Sequence, residues 1–273
     1  MSTEPHERWL DLPGGRFRAL EWAGAEPGVL FLHGLTGVAE AWQETVDALG
    51  EDRPRCVAID QRGHGGSAHD GPYHVRQLVR DALAAARAAG LERPHLVGHS
   101  MGARVAMAAA AWHPRAWRSV VMADIGPEAW AANWRETVTS VDAMPETLTR
   151  DEAVAFFTRN RPTPPERVHG YLQRMRDASD GKLTWRGSRE AWKAMVRLHR
   201  GRNYWAEWDA LGVPPAMLVH GLRSNELRPA VAEEMRRRNP RVRYVAFDGI
   251  GHNIPLLAPV LLAETLREFW GAI

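Results

Sequence analysis

Apolar residues in this chain fall mostly into short continuous runs bounded by glycine, proline or aspartate, and these runs alternate with segments of helical spacing. Phe17–Trp22, Val29–His33, Cys56–Ile59, His95–Val97, Ser119–Ala123, Ala216–Val219 and Val242–Phe247 read as strands. Between them, Ala39–Leu49 repeats its large apolar groups at Trp42, Val46 and Leu49, and Val75–Ala89 is an alanine-rich helix stopped by Gly90. Further helices are expected over Ala103–Trp112, about Ala230–Arg238 and about Leu256–Trp270. Strands alternating with helices predict an α/β fold, with a mostly parallel central sheet and helices on both faces. Unbroken apolar strands fit that prediction, because a strand covered on both sides has no polar face.

The rhythm breaks between about Pro127 and Leu211. That stretch has helical patterns but no convincing strand, carries Trp130, Trp134, Trp185 and Trp192 among its large apolar groups, and is punctuated by Pro162, Pro164 and Pro165. The expected organisation is a core of residues 1–126 and 212–273, with a helical cap of residues 127–211 inserted over one end of the sheet.

Composition narrows the setting without changing this picture. A chain of 273 residues with 45% hydrophobic and 25% charged residues can bury a large core. The formal charge is only +2, and the densest basic cluster, Arg236-Arg237-Arg238, follows Glu233-Glu234 as a solvated helix face would. No basic stripe or binding motif points to nucleic acid. Cys56 is the single cysteine, so no intrachain disulfide can form. Met1–Arg8 is polar, and no run approaches the ~20 apolar residues of a membrane span. The expectation is a cytoplasmic protein that does not engage membranes. His64, His69 and His74 recur at a spacing that matches no usual metal site, so no metal is expected.

The chemistry gathers around Gly98-His99-Ser100-Met101-Gly102. This G-x-S-x-G pattern lies between an expected strand and an expected helix, the context of a nucleophile turn. Glycines flank the serine because a Cβ at either position would clash in so tight a turn. The serine is lifted to a helix N-terminus, where backbone N–H groups face a developing oxyanion.

Taken with His33-Gly34-Leu35-Thr36-Gly37, the run Asp60-Gln61-Arg62-Gly63-His64-Gly65-Gly66-Ser67 and Gly251-His252, this turn makes the chain resemble the α/β-hydrolase superfamily, in particular its single-domain serine hydrolases with a helical cap. The resemblance covers nearly everything outside residues 127–211. It implies Leu35 and Met101 as the two backbone N–H donors of an oxyanion hole. It also implies His252 as the base, and the residues themselves point the same way: Asp248–Asn253 is a flexible loop after the last strand, where a parallel sheet presents catalytic groups.

The third member of the triad is harder to place. The resemblance puts the acid next to Ser224, where this chain has Asn225, which cannot stabilise an imidazolium by charge. Asp124, ending the strand after the nucleophile helix, and Glu226 are the two carboxylates that could serve. Asp124 is preferred because a strand end fixes its position. Asp60 is expected to anchor its own loop.

Trp130, Trp134 and Trp185 are the candidate substrate contacts of an apolar pocket, and Arg197, Arg200 and Arg202 could hold a substrate carboxylate. The expected activity is cofactor-free hydrolysis of a small, largely apolar ester, lactone or related carbonyl compound. Its partner is a small-molecule substrate, and a homodimer is allowed. Two alternatives stay open: C–C bond hydrolysis or another non-hydrolytic reaction on the same residues, and ligand binding on a hydrolase scaffold.

Overall fold

The computed structural model describes residues 4–128, 134–159, 164–178, 180–199 and 202–273. The chain opens with strands β1 (His6–Leu12), β2 (Gly15–Trp22) and β3 (Ala25–Leu32). A 3-10 turn at Ala39–Trp42 leads into helix α1 (Gln43–Ala48), followed by β4 (Pro54–Ile59) and α2 (Val75–Ala88). Then come β5 (His95–His99), α3 (Met101–Trp112) and β6 (Ser119–Ala123).

Beyond β6 the chain leaves the sheet. It forms α4 (Trp134–Asp142), β7 (Thr147–Leu148), α5 (Arg150–Thr158), α6 (Val168–Leu172), β8 (Met175–Asp177), β9 (Leu183–Trp185), α7 (Arg189–His199) and α8 (Trp205–Ala210). It returns as β10 (Ala216–Gly221), α9 (Pro229–Arg238), β11 (Arg243–Phe247), α10 (Ile254–Leu257) and α11 (Pro259–Gly271).

The eight-stranded main sheet has the order β1-β2-β4-β3-β5-β6-β10-β11. From β4 to β11 all neighbours run parallel, while β1 and β2 form an antiparallel edge. The chain is an α/β protein with helices on both faces. Alternate residues of the central strands enter two separate cores, as a period of two requires. Leu30, Leu32, Leu96, Val120 and Leu218 join α2, α3, α8 and α9 on one face. Val29, Phe31, Val97, Val121 and Val219 join α1 and α11 on the other.

Three differences from the sequence reading have plain causes. Strand β1 went unread because, as an edge strand, it exposes most of its side chains and shows no apolar run. The long C-terminal helix is two helices, broken at Ala258 before Pro259, whose ring prevents the turn from continuing. Strands do occur between β6 and β10: β7, β9 and β8 form a three-stranded antiparallel sheet. At two or three residues each, they are too short to show a period. This inserted region has its own apolar cluster, including Phe157, Tyr171, Trp185 and Trp192. No helix among the described residues is long and apolar enough to cross a membrane.

Candidate active site

Ser100 is the single residue between β5 and α3, and it takes a conformation L-residues rarely adopt, with φ 53° and ψ −117°. Holding a non-glycine residue there costs on the order of 1–3 kcal/mol and persists only where its surroundings enforce it. The flanking glycines show how. A Cβ on Gly98 would lie 2.3 Å from the Gly102 carbonyl oxygen, and one on Gly102 would lie 2.2 Å from the Leu32 carbonyl oxygen. Both are backbone atoms with no room to move. The Ser100 N–H donates to the Ala123 carbonyl at 2.9 Å, which ties the turn to neighbouring β6.

Asp124 stands at the end of that neighbour, also with a positive φ of 56°. Its carboxylate is fully buried and accepts from three donors: the Gly221 N–H at 3.0 Å, the Ser224 hydroxyl, and His252 Nδ1 at 2.7 Å. A carboxylate without a proton only accepts, so His252 carries its hydrogen on Nδ1 and presents a lone pair on Nε2. Nε2 lies 2.9 Å from Ser100 Oγ. A continuous chain of hydrogen bonds therefore runs from Asp124 through His252 to Ser100.

Reaching this position requires the loop after β11 to cross the end of β10. Gly221 permits it: a Cβ there would stand 2.7 Å from the Gly251 carbonyl oxygen and 2.8 Å from that of Ile250. His99 holds the same loop from the other side, donating from Nε2 to the His252 carbonyl at 2.8 Å. Asn253 ties it to the inserted region through Tyr171, at 2.7 Å. Asn225 and Glu226 are exposed, and neither bonds to His252.

The loop after β3 brings Gly34 against the serine, where a Cβ would be 3.0 Å from His99 and 3.1 Å from Ser100 Cβ. Neither the Leu35 N–H nor the Met101 N–H has a hydrogen-bond acceptor among the described residues. Two buried histidines shape this loop. His33 accepts from the Gln61 N–H at 3.0 Å and donates to the Gly34 carbonyl at 2.7 Å. His64 accepts from the Thr36 N–H at 3.2 Å and donates to the Arg62 carbonyl at 2.9 Å. Burial pushes the His33 pKa down to about 4 and holds those of His64 and His99 well below 6.5. All three are neutral at ordinary pH, as the hydrogen bonds accepted by His33 and His64 require. Asp60 anchors the following loop, accepting from the Ala39 N–H at 2.7 Å and the Gly66 N–H at 2.9 Å and pairing with Arg18 at 3.2 Å.

Above the serine lies a cavity of about 720 Å³ between the sheet's carboxyl ends and the inserted region. Leu35, Ser100, Met101 and His252 form its floor; Val141, Met144, Phe156, Phe157 and Trp185 form much of its roof. Trp185 thus reaches the cavity, its indole N–H held by the Pro145 carbonyl at 2.7 Å. Trp130 lies outside the described residues, as does the side chain of Trp134, which opens α4.

The late arginines fare differently. Arg197 is exposed, Arg200 lies outside the described residues, and Arg202 pairs with Glu207 at 3.6 Å. The arginines that do line the cavity are Arg104, Arg159 and Arg174. Arg174 bonds Thr36 at 3.0 Å and lies over the Tyr171 ring. Arg104 carried a readable signal, since it is the one charge in the helix Met101–Trp112. Ser224, which steadies the acid, carried none. No group of three or more His, Cys, Asp or Glu side chains among the described residues could hold a metal ion.

A strained serine at a strand–helix turn, on a parallel sheet with an inserted region roofing a cavity, defines a known class of protein. Residues 27–259 match the alpha/beta hydrolase fold family, and the chain belongs to it. It is 27% identical over 251 residues to 2-(acetamidomethylene)succinate hydrolase of Mesorhizobium japonicum, covering 90% of this chain and 88% of that one. It is 29% identical over 267 residues to an esterase of Mycobacterium tuberculosis, covering 93% and 86%. The crystal structure of E-2-(acetamidomethylene)succinate hydrolase superposes with a TM-score of 0.87 at 24% identity, over 98% of this chain and 99% of that one. The family and these relatives support a hydrolase.

Proposed function

We propose that this chain is a serine hydrolase acting on a small ester, lactone or related carbonyl compound through an acyl-enzyme. Ser100 Oγ attacks the carbonyl carbon while His252 Nε2 takes its proton. The Asp124 carboxylate holds the imidazole in the Nδ1–H tautomer and stabilises the imidazolium that forms. The Leu35 and Met101 N–H groups receive the oxyanion, two preorganised donors in a site walled off by apolar side chains. His252 then returns the proton to the leaving group. It next activates a water, which breaks the Ser100 ester and releases the acid. The chain's own groups and water suffice for every step.

The observation that carries this reading is the Asp124–His252–Ser100 hydrogen-bond chain, with spacings of 2.7 and 2.9 Å. The free Leu35 and Met101 amides and the apolar roof add to it. Asn225 is exposed and forms no hydrogen bond with any of the three groups, so it lends nothing to a binding-only role.

The test is labelling with a fluorophosphonate, which reacts only with activated serines, alongside hydrolysis of 4-nitrophenyl butyrate. The native chain is expected to label and to turn over, and Ser100→Ala to do neither. A folded native chain that fails both would sink the proposal.

A further inference from the structure

Helix α3 packs nine of its first ten residues fully into the core, and the tenth is Arg104, its only charge. Arg104 lies four residues past Ser100, about 6 Å along the axis, and lines the same cavity. Its guanidinium is positioned but unpaired. The Tyr204 ring stands 5.6 Å away, its Nε is buried without a hydrogen-bond partner, and among the described residues it forms no ion pair. The exposed carboxylate of Glu226, on the rim of the same cavity, acts on it without forming an ion pair.

A second unanswered donor sits beside it. His199, at the end of α7, is 93% buried and also lines the cavity (7% exposed). Its Nδ1 shares a hydrogen bond with the Tyr204 hydroxyl at 2.9 Å, and its Nε2 is buried with no partner; with the hydroxyl donating, that Nε2 carries the imidazole hydrogen. Leaving such groups unmet is unfavourable, most of all for a charged guanidinium. Both residues line the same cavity, and the group whose chemistry answers a guanidinium and an imidazole N–H is a carboxylate, which takes the guanidinium fork and accepts a further N–H.

We infer that Arg104 and His199 form a carboxylate subsite, so that the substrate is a small carbonyl compound bearing a carboxylate a few methylene groups from the bond attacked. This rests on the hydrolase reading above and narrows it. The apolar roof then covers the carbon chain between the two ends, and the arginine fixes which end faces Ser100.

Two measurements separate the subsite from the hydrolase reading. The first is binding of adipate, followed by calorimetry on the native chain and on Arg104→Met; it does not depend on turnover. The native chain should bind adipate, and the variant should bind it about 10–100-fold more weakly, with Arg104→Lys between. No binding by the native chain, or equal binding by Arg104→Met, overturns the subsite.

The second is the ratio of kcat/KM for mono-(4-nitrophenyl) adipate to that for 4-nitrophenyl hexanoate. The native chain should favour the anionic ester, and the ratio should fall by about 10-fold or more in Arg104→Met. A native preference for the neutral ester also overturns the subsite, whether or not the variant folds. Adipate binding without cleavage of either ester leaves the subsite standing and sinks the hydrolase reading instead.

Discussion

Asp124 carries more than a charge: its two oxygens hold a backbone N–H, a hydroxyl and an imidazole in a fully buried place. Asp124→Asn keeps the size but can put an amide N–H opposite Nδ1, so the imidazole takes the tautomer whose Nε2 already carries a hydrogen and cannot accept the serine's proton. Turnover of 4-nitrophenyl butyrate should fall by about 10⁴-fold with the melting temperature little changed, while Glu226→Gln should leave it within a factor of a few. The opposite ranking would reassign the acid. The sequence alone favoured Asp124 but kept Glu226 as an alternative, because which carboxylate faces His252 depends on how β5, β6 and the loop after β11 meet in space. Ser100 and His252 were legible earlier, since the serine's turn and the last-strand loop are local patterns. His199 was hidden for the opposite reason, and Arg104 showed only as a lone charge in its helix: what marks both is the absence of a partner, which no sequence spells out.

At the scale of elements, the glycines set what the strands and turns can reach. Gly221 lets the histidine loop pass over β10, and its added Cβ would meet backbone atoms, which yield little. Gly221→Ala should therefore fold but displace His252, and a shift near 1 Å is worth about 100-fold in rate. Circular dichroism and kcat measured together would check this; an unchanged kcat would mean the loop finds another route. The buried strands announced themselves through continuous apolar runs. The strands β7, β8 and β9 could not, since a pairing two or three residues long depends on its partner rather than on any pattern of its own.

For the whole molecule, several buried histidines make stability a function of acidity. Burial lowers His33 and His95 to about 4 and His199 to about 3. The unfolded chain binds protons from about pH 6.5 downward, whereas the folded chain resists until about pH 4 or below. Between these limits the unfolded state holds more protons, so stability should fall as pH drops from about 6.5 toward 4. Each histidine adds up to ~1.4 kcal/mol per pH unit. Urea unfolding across pH 4–7 would reveal the slope, and a flat profile would mean these rings gain water on acidification. The α/β architecture needed little beyond the spacing of apolar runs. The inserted region between β6 and β10 was visible as a break in rhythm, but not in its internal arrangement.

The crowding of rings near the serine has one more consequence. His33, His64 and His99 are buried and committed to fixed bonds, while His252 keeps its side chain 22% exposed. Four imidazoles share one neighbourhood, yet three are insulators and only one is wired for traffic. In the proposed reaction, a proton lifted from Ser100 has a single address to go to and the same one to come back from. The surrounding rings give the site the shape of a polar cluster without giving the proton anywhere to stray.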